Sequence, residues 1–598
     1  MLRHSLLLFL LLIGLPMAAF GQMCEDGWPV IDIGTPAPSS TILPADTTTW
    51  LAGNVYHMQG FIFVPDGGVL VIQPGTIIKS DPGQGTNSTA LIIARGGKII
   101  AQGTPTLPII FTSIDDNVCD TGDVPDIATS RGLWGGVILE GRSYACVSGG
   151  VSEIEGIPDY GELTLYGGGE NPDCGDNSGI MQYVSIRYPG SIIGANNEIN
   201  GLTLAAVGSG TVIDHIETYL CLDDDFEWFG GSVNCSYLAA IYGDDDAFDG
   251  DECYSGTRQF LFELKDPRWG DRITEHDGRQ QAVWTDTTSV GVATPATPAG
   301  WGCAYPGYAL AANWTCIGQG PNFSGTDGNN MLFRENYRAY WYNNVFMEQP
   351  KKVLLIDCPG GDVNIDTPPS STNNLPSGAA SIAAGFPLLD FVGNFWYHSY
   401  NAGGGGSSLS HFTSTSGATL ATQRVQNDLF PGGDTTLTGK NHAGIDPLLT
   451  SYEVINPPVR HAMINPVPAS GSPLIGAAAT VPGYATSAYY TPVTYAGAFE
   501  PGVDISQSWI WGWTFASTAN ILGPSSCCDM PGDANNDGKV NVGDAVYIIT
   551  YVFRGGPVPI CLAEGDANGD GKINVGDAVY IISYVFRGGP APICGPTL

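Results

Sequence analysis

The 598-residue chain is poor in basic charge: 23 Lys+Arg stand against 59 Asp+Glu, a formal net charge of −36. A chain so acidic repels phosphate backbones and anionic headgroups, which argues against nucleic acid and membrane surfaces as partners and makes divalent cations the natural counter-charge. Charged residues of either sign are only 14% of the sequence, but 43% is hydrophobic, so the scarcity of charge does not signal disorder. Beyond the N-terminus no apolar run is long enough to span a bilayer, so no transmembrane segment is expected. No Cys-x-x-Cys pair offers a metal site, no Gly-x-Ser-x-Gly elbow presents a serine nucleophile, and the eight His lack metal-ligand spacing.

What is abundant is glycine, 81 residues with no Gly-X-Y period, about twice the usual ~7%. With 42 Pro this describes a turn-dense all-β protein rather than a helical bundle. The N-terminus has a basic start, the apolar run Leu6 to Leu15, and small residues at Ala19 and Gly21. That pattern predicts a secretory signal peptide over 1–21, cleaved before Gln22, and a secreted, extracellular or cell-surface product. All 14 Cys follow it, an even number in an oxidising compartment, so disulfides are expected, with Cys303 and Cys316 as a local pair.

One internal repeat is unmistakable. Residues 531–561 recur 33 positions later as 564–594, differing at 5 of 31 positions. Each copy places oxygen donors at positions one, three, five, nine and twelve of a loop: Asp533, Asn535, Asp537, Asn541 and Asp544, then Asp566, Asn568, Asp570, Asn574 and Asp577. Gly538 and Gly571 occupy position six, where a calcium loop turns sharply, and Lys539 and Lys572 offer backbone carbonyls at position seven. A hard cation needing six or more oxygens accounts for every one of these positions, so Ca2+ is the expected cofactor. A solvated Asp/Asn-rich turn would not reproduce the spacing twice. A helix follows each loop, Ala545 to Phe553 and Ala578 to Phe586, stopped by Gly-Gly-Pro. These helices are apolar nearly all round, more than so small a module can bury, which predicts a partner for the leftover face.

These residues resemble type I dockerins, modules that plug secreted proteins into cohesin domains, whose two Asp-x-Asn-x-Asp-Gly-x-x-Asn-x-x-Asp loops are both matched here. The resemblance implies that cohesin contacts centre on Val542, Gly543, Ile549 and Thr550 and on Val575, Gly576, Ile582 and Ser583. The Ser/Thr and Lys/Arg pairs common in the family at those positions are absent, so a non-cohesin partner or a structural anchor are the alternatives. Cys527, Cys528, Cys561 and Cys594 are expected to staple the module in one of three pairings.

From about Val55 to Asp277 the chain is a series of short β-type strings separated by Gly and Pro, among them Gly60 to Lys79, Ala90 to Ala101, Pro108 to Ser113 and Trp134 to Glu140. Val212 to Asp225 aligns with Val233 to Asp246 at a shift of 21 residues, each string ending in three aspartates. A period of that length suits one coil of a parallel β-helix. The strings resemble secreted bacterial right-handed β-helix proteins of the pectate-lyase-like class, a resemblance that recurs at Asn465 to Ala477 and Tyr495 to Phe499.

Between Tyr188 and Thr257 there are 13 Asp+Glu and no Lys or Arg. Stacked coils ~4.8 Å apart would bring the aspartate triplets together. This gives a second metal site from Asp223, Asp224, Asp225, Glu227, Asp244, Asp245, Asp246 and Asp249, or else carboxylates turned into water and screened by salt. Carbohydrate-active β-helices use calcium with a basic residue, or paired aspartates, and Arg258, Arg268, Arg272, Glu275 and His276 follow close by. The alternative for that group is a salt-bridged surface, and the Gly-His-Gly of polygalacturonases is missing. Trp509, Trp511 and Trp513 alternate as on one face of a strand, placed either to stack on sugars or to seal the open end of the solenoid.

The resulting expectation is an all-β protein. A right-handed parallel β-helix body over 22–500, with long loops or an insertion over 290–500, is followed by a Trp-rich strand and linker over 501–526 and a small α-helical, duplicated calcium-loop, dockerin-like domain over 527–598. Its expected role is calcium-dependent docking to a cohesin-type partner, displaying a body that binds glycan or another surface. The alternative is a polysaccharide lyase or glycoside hydrolase carried by the same module.

Overall fold

The computed structural model describes residues 25–119, 129–194, 197–278, 309–320, 323, 331–334, 337, 339–349, 354–356, 389–397, 400–401, 404–405, 412–414, 429–452, 464–483, 485, 488–519, 521–523, 530–535, 538–554, 556–557, 559, 561–569 and 572–593. The predicted signal peptide lies outside them, as do Cys303, Cys527, Cys528, Cys594, Asp537, Asp570 and Gly571.

The body is a parallel β-helix whose coils each contribute three short strands, so that three parallel faces run along it. The first face begins with Val30–Gly34, Val55–Gln59 and Ile77–Ser80. The second is an 11-stranded sheet that includes Phe61–Val64, Ala90–Ile93, Val137–Glu140, Leu202–Ala205, Phe226–Phe229 and Phe248–Asp251. The third begins with Thr47–Trp50, Val69–Ile72 and Lys98–Gln102. Each strand hydrogen-bonds to the coil before and the coil after, so equivalent residues stack. One interior row runs Ile62, Leu91, Val137, Leu202, Phe226, Phe248, every member fully buried. Burial of such side chains, ~1.5–3 kcal/mol each, is the main stabilising term along the helix axis. The stacking continues past residue 300: Ala309–Ala312 pairs with Thr257–Gln259, Ala339–Tyr342 with Ala309–Ala312, and Leu389–Val392 with Ala339–Tyr342.

Where the third face bends into the first, one residue per coil takes the left-handed conformation: Tyr183, His215, Tyr237 and Phe260 at φ 50 to 61, then Asn313, Asn343 and Gly393. That backbone costs a non-glycine residue roughly 1–2 kcal/mol. In the four aromatic coils the rings stack on one another at 4.3, 4.4 and 5.0 Å between centroids, which offsets the cost. Farther along, a buried amide ladder joins the coils. Asn344 donates Nδ2 to Asn394 Oδ1 at 2.8 Å, and Asn394 donates Nδ2 to Asn441 Oδ1 at 3.0 Å.

The structure corrects three sequence expectations here. Trp509, Trp511 and Trp513 lie in turns, not a strand, because Gly512 between them takes φ 84. They seal the flank of the aromatic row rather than an open end, with the Trp513 ring 5.9 Å from His215 and 5.7 Å from Tyr183. The adjoining short helix Phe515–Thr518 is tied down by Glu217, whose carboxylate accepts from Phe515 N at 2.7 Å and Ala516 N at 2.9 Å. Residues 465–477 and 495–499 are not further coils but part of the same flanking cover, Asn465–Pro468 pairing antiparallel with Leu449–Ser451. Cys316, expected in a disulfide, is a free thiol facing the coil interior, as is Cys235; Cys221 is free and buried too. A disulfide joins Cys146 and Cys253.

The C-terminal module has two long helices, α1 (Val542–Arg554) and α2 (Val575–Arg587), packed through Ala545, Ile548, Ala578 and Ile581, with the single turn Leu562–Gly565 between them. Both start three residues before the sequence expectation. The reason is visible at α2, where Asn574 and Asp577 form a reciprocal capping box, so loop positions nine and twelve double as the helix start.

Candidate functional site

Two groups of oxygen donors stand out, one in the C-terminal module and one on the body. In the first loop Asp544 is fully buried, held by Asn535 N on Oδ1 at 3.1 Å and Asn541 N on Oδ2 at 2.8 Å. Asp533 Oδ2 accepts from Gly538 N at 2.8 Å, and Gly538 turns the loop at φ 76. The second loop repeats this geometry, with Asp577 accepting from Asn568 N at 3.1 Å and Asn574 N at 2.9 Å. Asp566 is fully buried, and Asn541 and Asn574 each accept from the N–H two residues on. Lys539 and Lys572 are exposed, leaving only their backbone for the loop interior. Buried carboxylates fixed by backbone N–H groups around an all-oxygen donor set fit a calcium ion, held by Asp533, Asn535, Asn541 and Asp544 in one loop and Asp566, Asn568, Asn574 and Asp577 in the other.

The helices leave equivalent apolar stripes in solvent. On α1 these are Val542, Val546, Ile549 and Phe553, at helical spacing; Val546 is 56% and Phe553 68% exposed. On α2, Val579 and Phe586 are 59% and 67% exposed, and Val575 is exposed beside them. Of the expected contact residues, Gly543, Thr550, Gly576, Ile582 and Ser583 are half-buried, and Ile582 packs against the core. Val546, Phe553, Val579 and Phe586 were missed, although their 4- and 11-residue spacing from Val542 and Val575 was the signal.

On the body, the coils carrying the aspartate triplets pair at 22 residues rather than 21: Tyr219 with Ile241 on one side and Phe226 with Phe248 on the other. The triplets are therefore staggered by one residue. Three carboxylate groups result among the described residues, each with ligand atoms within 4.8 Å of one another: Asp223/Asp224/Asp245, Asp224/Glu227/Asp249 and Asp245/Asp246/Asp271. Asp225 and Asp244 fall outside all three, because they lie toward Lys265 and Arg131, whose charges act on both. Asp271 was missed because the next coil is longer, Gly250 pairing with His276. Burial, and after it neighbouring carboxylates, pushes Asp223, Asp224, Glu227, Asp246 and Asp249 above the usual carboxylate range.

The basic residues that follow in sequence do not line this face as free bases. Arg258 is fully buried inside the coil, its guanidinium 5.0–5.1 Å from the rings of Trp228, Tyr254 and Trp314 and donating to His276 Nε2 at 2.9 Å. His276 is fully buried as well, and burial and then Arg258 hold it well below its usual range, so it is neutral. Arg268 grips Asp266. Arg272 is paired with Asp271 at 2.6 Å and Glu275 at 2.9 Å. Linear proximity to the acids was misleading for Arg258 because it stacks on the interior residue Cys235.

Residues 42–301 match the family described as a pectate-lyase like beta helix domain, and residues 531–586 match the dockerin type I domain. No curated protein and no solved structure matches the chain. The chain thus carries a pectate-lyase-like β-helix domain and a C-terminal type I dockerin domain, the kind of module that binds calcium and docks to cohesins. Among the described residues no helix is long and apolar enough to cross a membrane.

Proposed function

We propose that this is a secreted protein which docks, with calcium bound, to a cohesin-type domain outside the cell and displays a β-helix body that binds glycan. The observation that carries the reading is the pair of apolar stripes on α1 and α2, each positioned by its own all-oxygen loop. Calcium in the loops orders the start of each helix, and the ordered helices present the stripes. The body is the displayed cargo, and its domain type supports a carbohydrate ligand. Display is favoured over cleavage by a lyase because Arg258 is sealed in the coil and Arg272 is ion-paired, leaving neither as the proton-abstracting base a lyase needs.

The test is capture of the full chain on a panel of immobilised cohesin domains, with calcium and with chelator. Capture in calcium that is lost in chelator, and lost in Asp533→Ala/Asp566→Ala, is expected; no capture by any cohesin refutes the docking half. For the body, retention on polyuronates or neutral glycans without release of unsaturated products or reducing ends is expected. Release of either with calcium present would install the enzyme reading in its place.

A further inference from the structure

Of the tryptophans among the described residues, Trp269 alone is exposed, at 42%. The turn that carries it is pinned on both sides. Arg268 N donates to Asp266 Oδ1 at 2.9 Å, and the Arg268 guanidinium grips both oxygens of the same carboxylate. Gln319 Nε2 donates to Gly270 O and Asp271 O, each at 3.1 Å. The Arg131 guanidinium lies over the indole, 5.8 Å from its centroid, and is itself fixed by Tyr242 O at 3.0 Å and Asp266 Oδ2 at 3.2 Å. Arg131 thus braces one face of the ring, and no aromatic contact among the described residues covers the other. A singly exposed apolar side chain is ordinary; an indole held at the surface on a pinned turn with a braced face is preorganised for a ligand.

The turn abuts the acidic face of the body. Gly270 N donates to the Asp244 carboxylate, and Asp271 lies with Asp245 and Asp246, ligand atoms within 4.8 Å. Asp244 and Asp271 are half-buried, so their oxygens can accept further hydrogen bonds from solvent or a ligand. An aromatic face beside such acceptors matches a pyranose, which has an apolar C–H face and hydroxyl donors at its rim. Charge then selects among sugars. The stretch from Tyr188 to Thr257 has 13 Asp+Glu and no Lys or Arg, and Arg268 and Arg272 beside the turn are paired with Asp266 and Asp271. A polyuronate brings more carboxylates to this face, whereas an uncharged polymer does not.

We propose that Trp269 is the stacking platform of a subsite for uncharged glycans, with Asp244 and Asp271 accepting sugar hydroxyls, and that the body discriminates against polyuronates; this rests on the glycan-binding reading above. The experiment is affinity electrophoresis of the full chain through gels containing xylan, mixed-linkage β-glucan, glucomannan, polygalacturonate or alginate, each in calcium and in chelator. Retardation by at least one neutral polymer in both conditions, and by neither polyuronate, is expected. Trp269→Ala should weaken it about 10- to 50-fold, and Trp269→Phe, which keeps a smaller ring over Arg131, about 2- to 5-fold. Oxidative footprinting needs no variant: a hexasaccharide of the retarding polymer is expected to protect the peptide carrying Trp269. Equal retardation of Trp269→Ala and its parent by a neutral polymer, or no protection of Trp269, overturns the subsite and leaves glycan binding by the body standing. Retardation by either polyuronate overturns the charge selection. Retardation by none of the five polymers overturns the glycan-binding reading and the subsite with it.

Discussion

Truncating the two exposed phenylalanines of the docking module tests how its stripes are used. Phe553 and Phe586 are each about two-thirds exposed, and full burial of a phenylalanine is worth about 1.5–3 kcal/mol, so covering one of these rings in a complex contributes about 1–2 kcal/mol. The stripes belong to repeats identical at 26 of 31 positions, since only 5 differ. A partner that engages one repeat at a time therefore finds an intact stripe in either single mutant. Phe553→Ala and Phe586→Ala should each weaken calcium-dependent cohesin binding by no more than about two-fold, and the double mutant by about 5- to 30-fold. If both stripes are covered at once, each single change should cost about 5- to 30-fold and the double change about 30- to 1,000-fold. Calorimetry in calcium distinguishes the two patterns. Neither ring belongs to the module core of Ala545, Ile548, Ala578 and Ile581, so helical signal should be unchanged. A double mutant that binds as tightly as the parent refutes the assignment of these stripes as the docking surface.

The N-terminal coils carry a pH-sensitive contact. His57 bridges Asp32 at 2.9 Å and Asp81 at 2.7 Å; burial lowers its pKa, but the two hydrogen bonds and charges outweigh that and leave it raised above 6.5. Its contribution is therefore full below pH 6.5 and disappears as pH rises through the folded pKa, so His57→Gln should lower the melting midpoint at about pH 5.5 and little at about pH 8.5. Equal losses at both would refute this. Asn394 bonds Trp341 O at 2.8 Å, accepts from Asn344 N at 3.1 Å and is fully buried. Asn394→Ala should cost about 2–6 kcal/mol in urea unfolding by stripping two buried backbone groups of their partner, and a loss under about 0.5 kcal/mol would mean that the amide ladder is not stabilising.

How legible each part was depended on what sets its spacing. In the docking loops the spacing that a calcium ion would require falls within twelve consecutive residues, so the candidate donors stand out in the sequence itself, and the helix starts moved because Asn574 caps α2. In the body, neighbours in space are one coil apart, and coil length is not constant. Phe226 meets Phe248, but Gly250 meets His276, so a repeat of 21 read from matching aspartates is off by one residue at the first junction and of no use at the next. The aspartates matched by identity are not those that stack. That is why Asp225 and Asp244 dropped out of the acidic groups while Asp271, in a longer coil, entered them. The inward or outward direction of a side chain follows the same logic. Arg258 read as surface chemistry because aspartates precede it, yet the strand register places it over Cys235 and under Ala311, both interior. In a solenoid, then, the residue type predicts which groups can bind an ion, whereas the local coil length decides which of them meet.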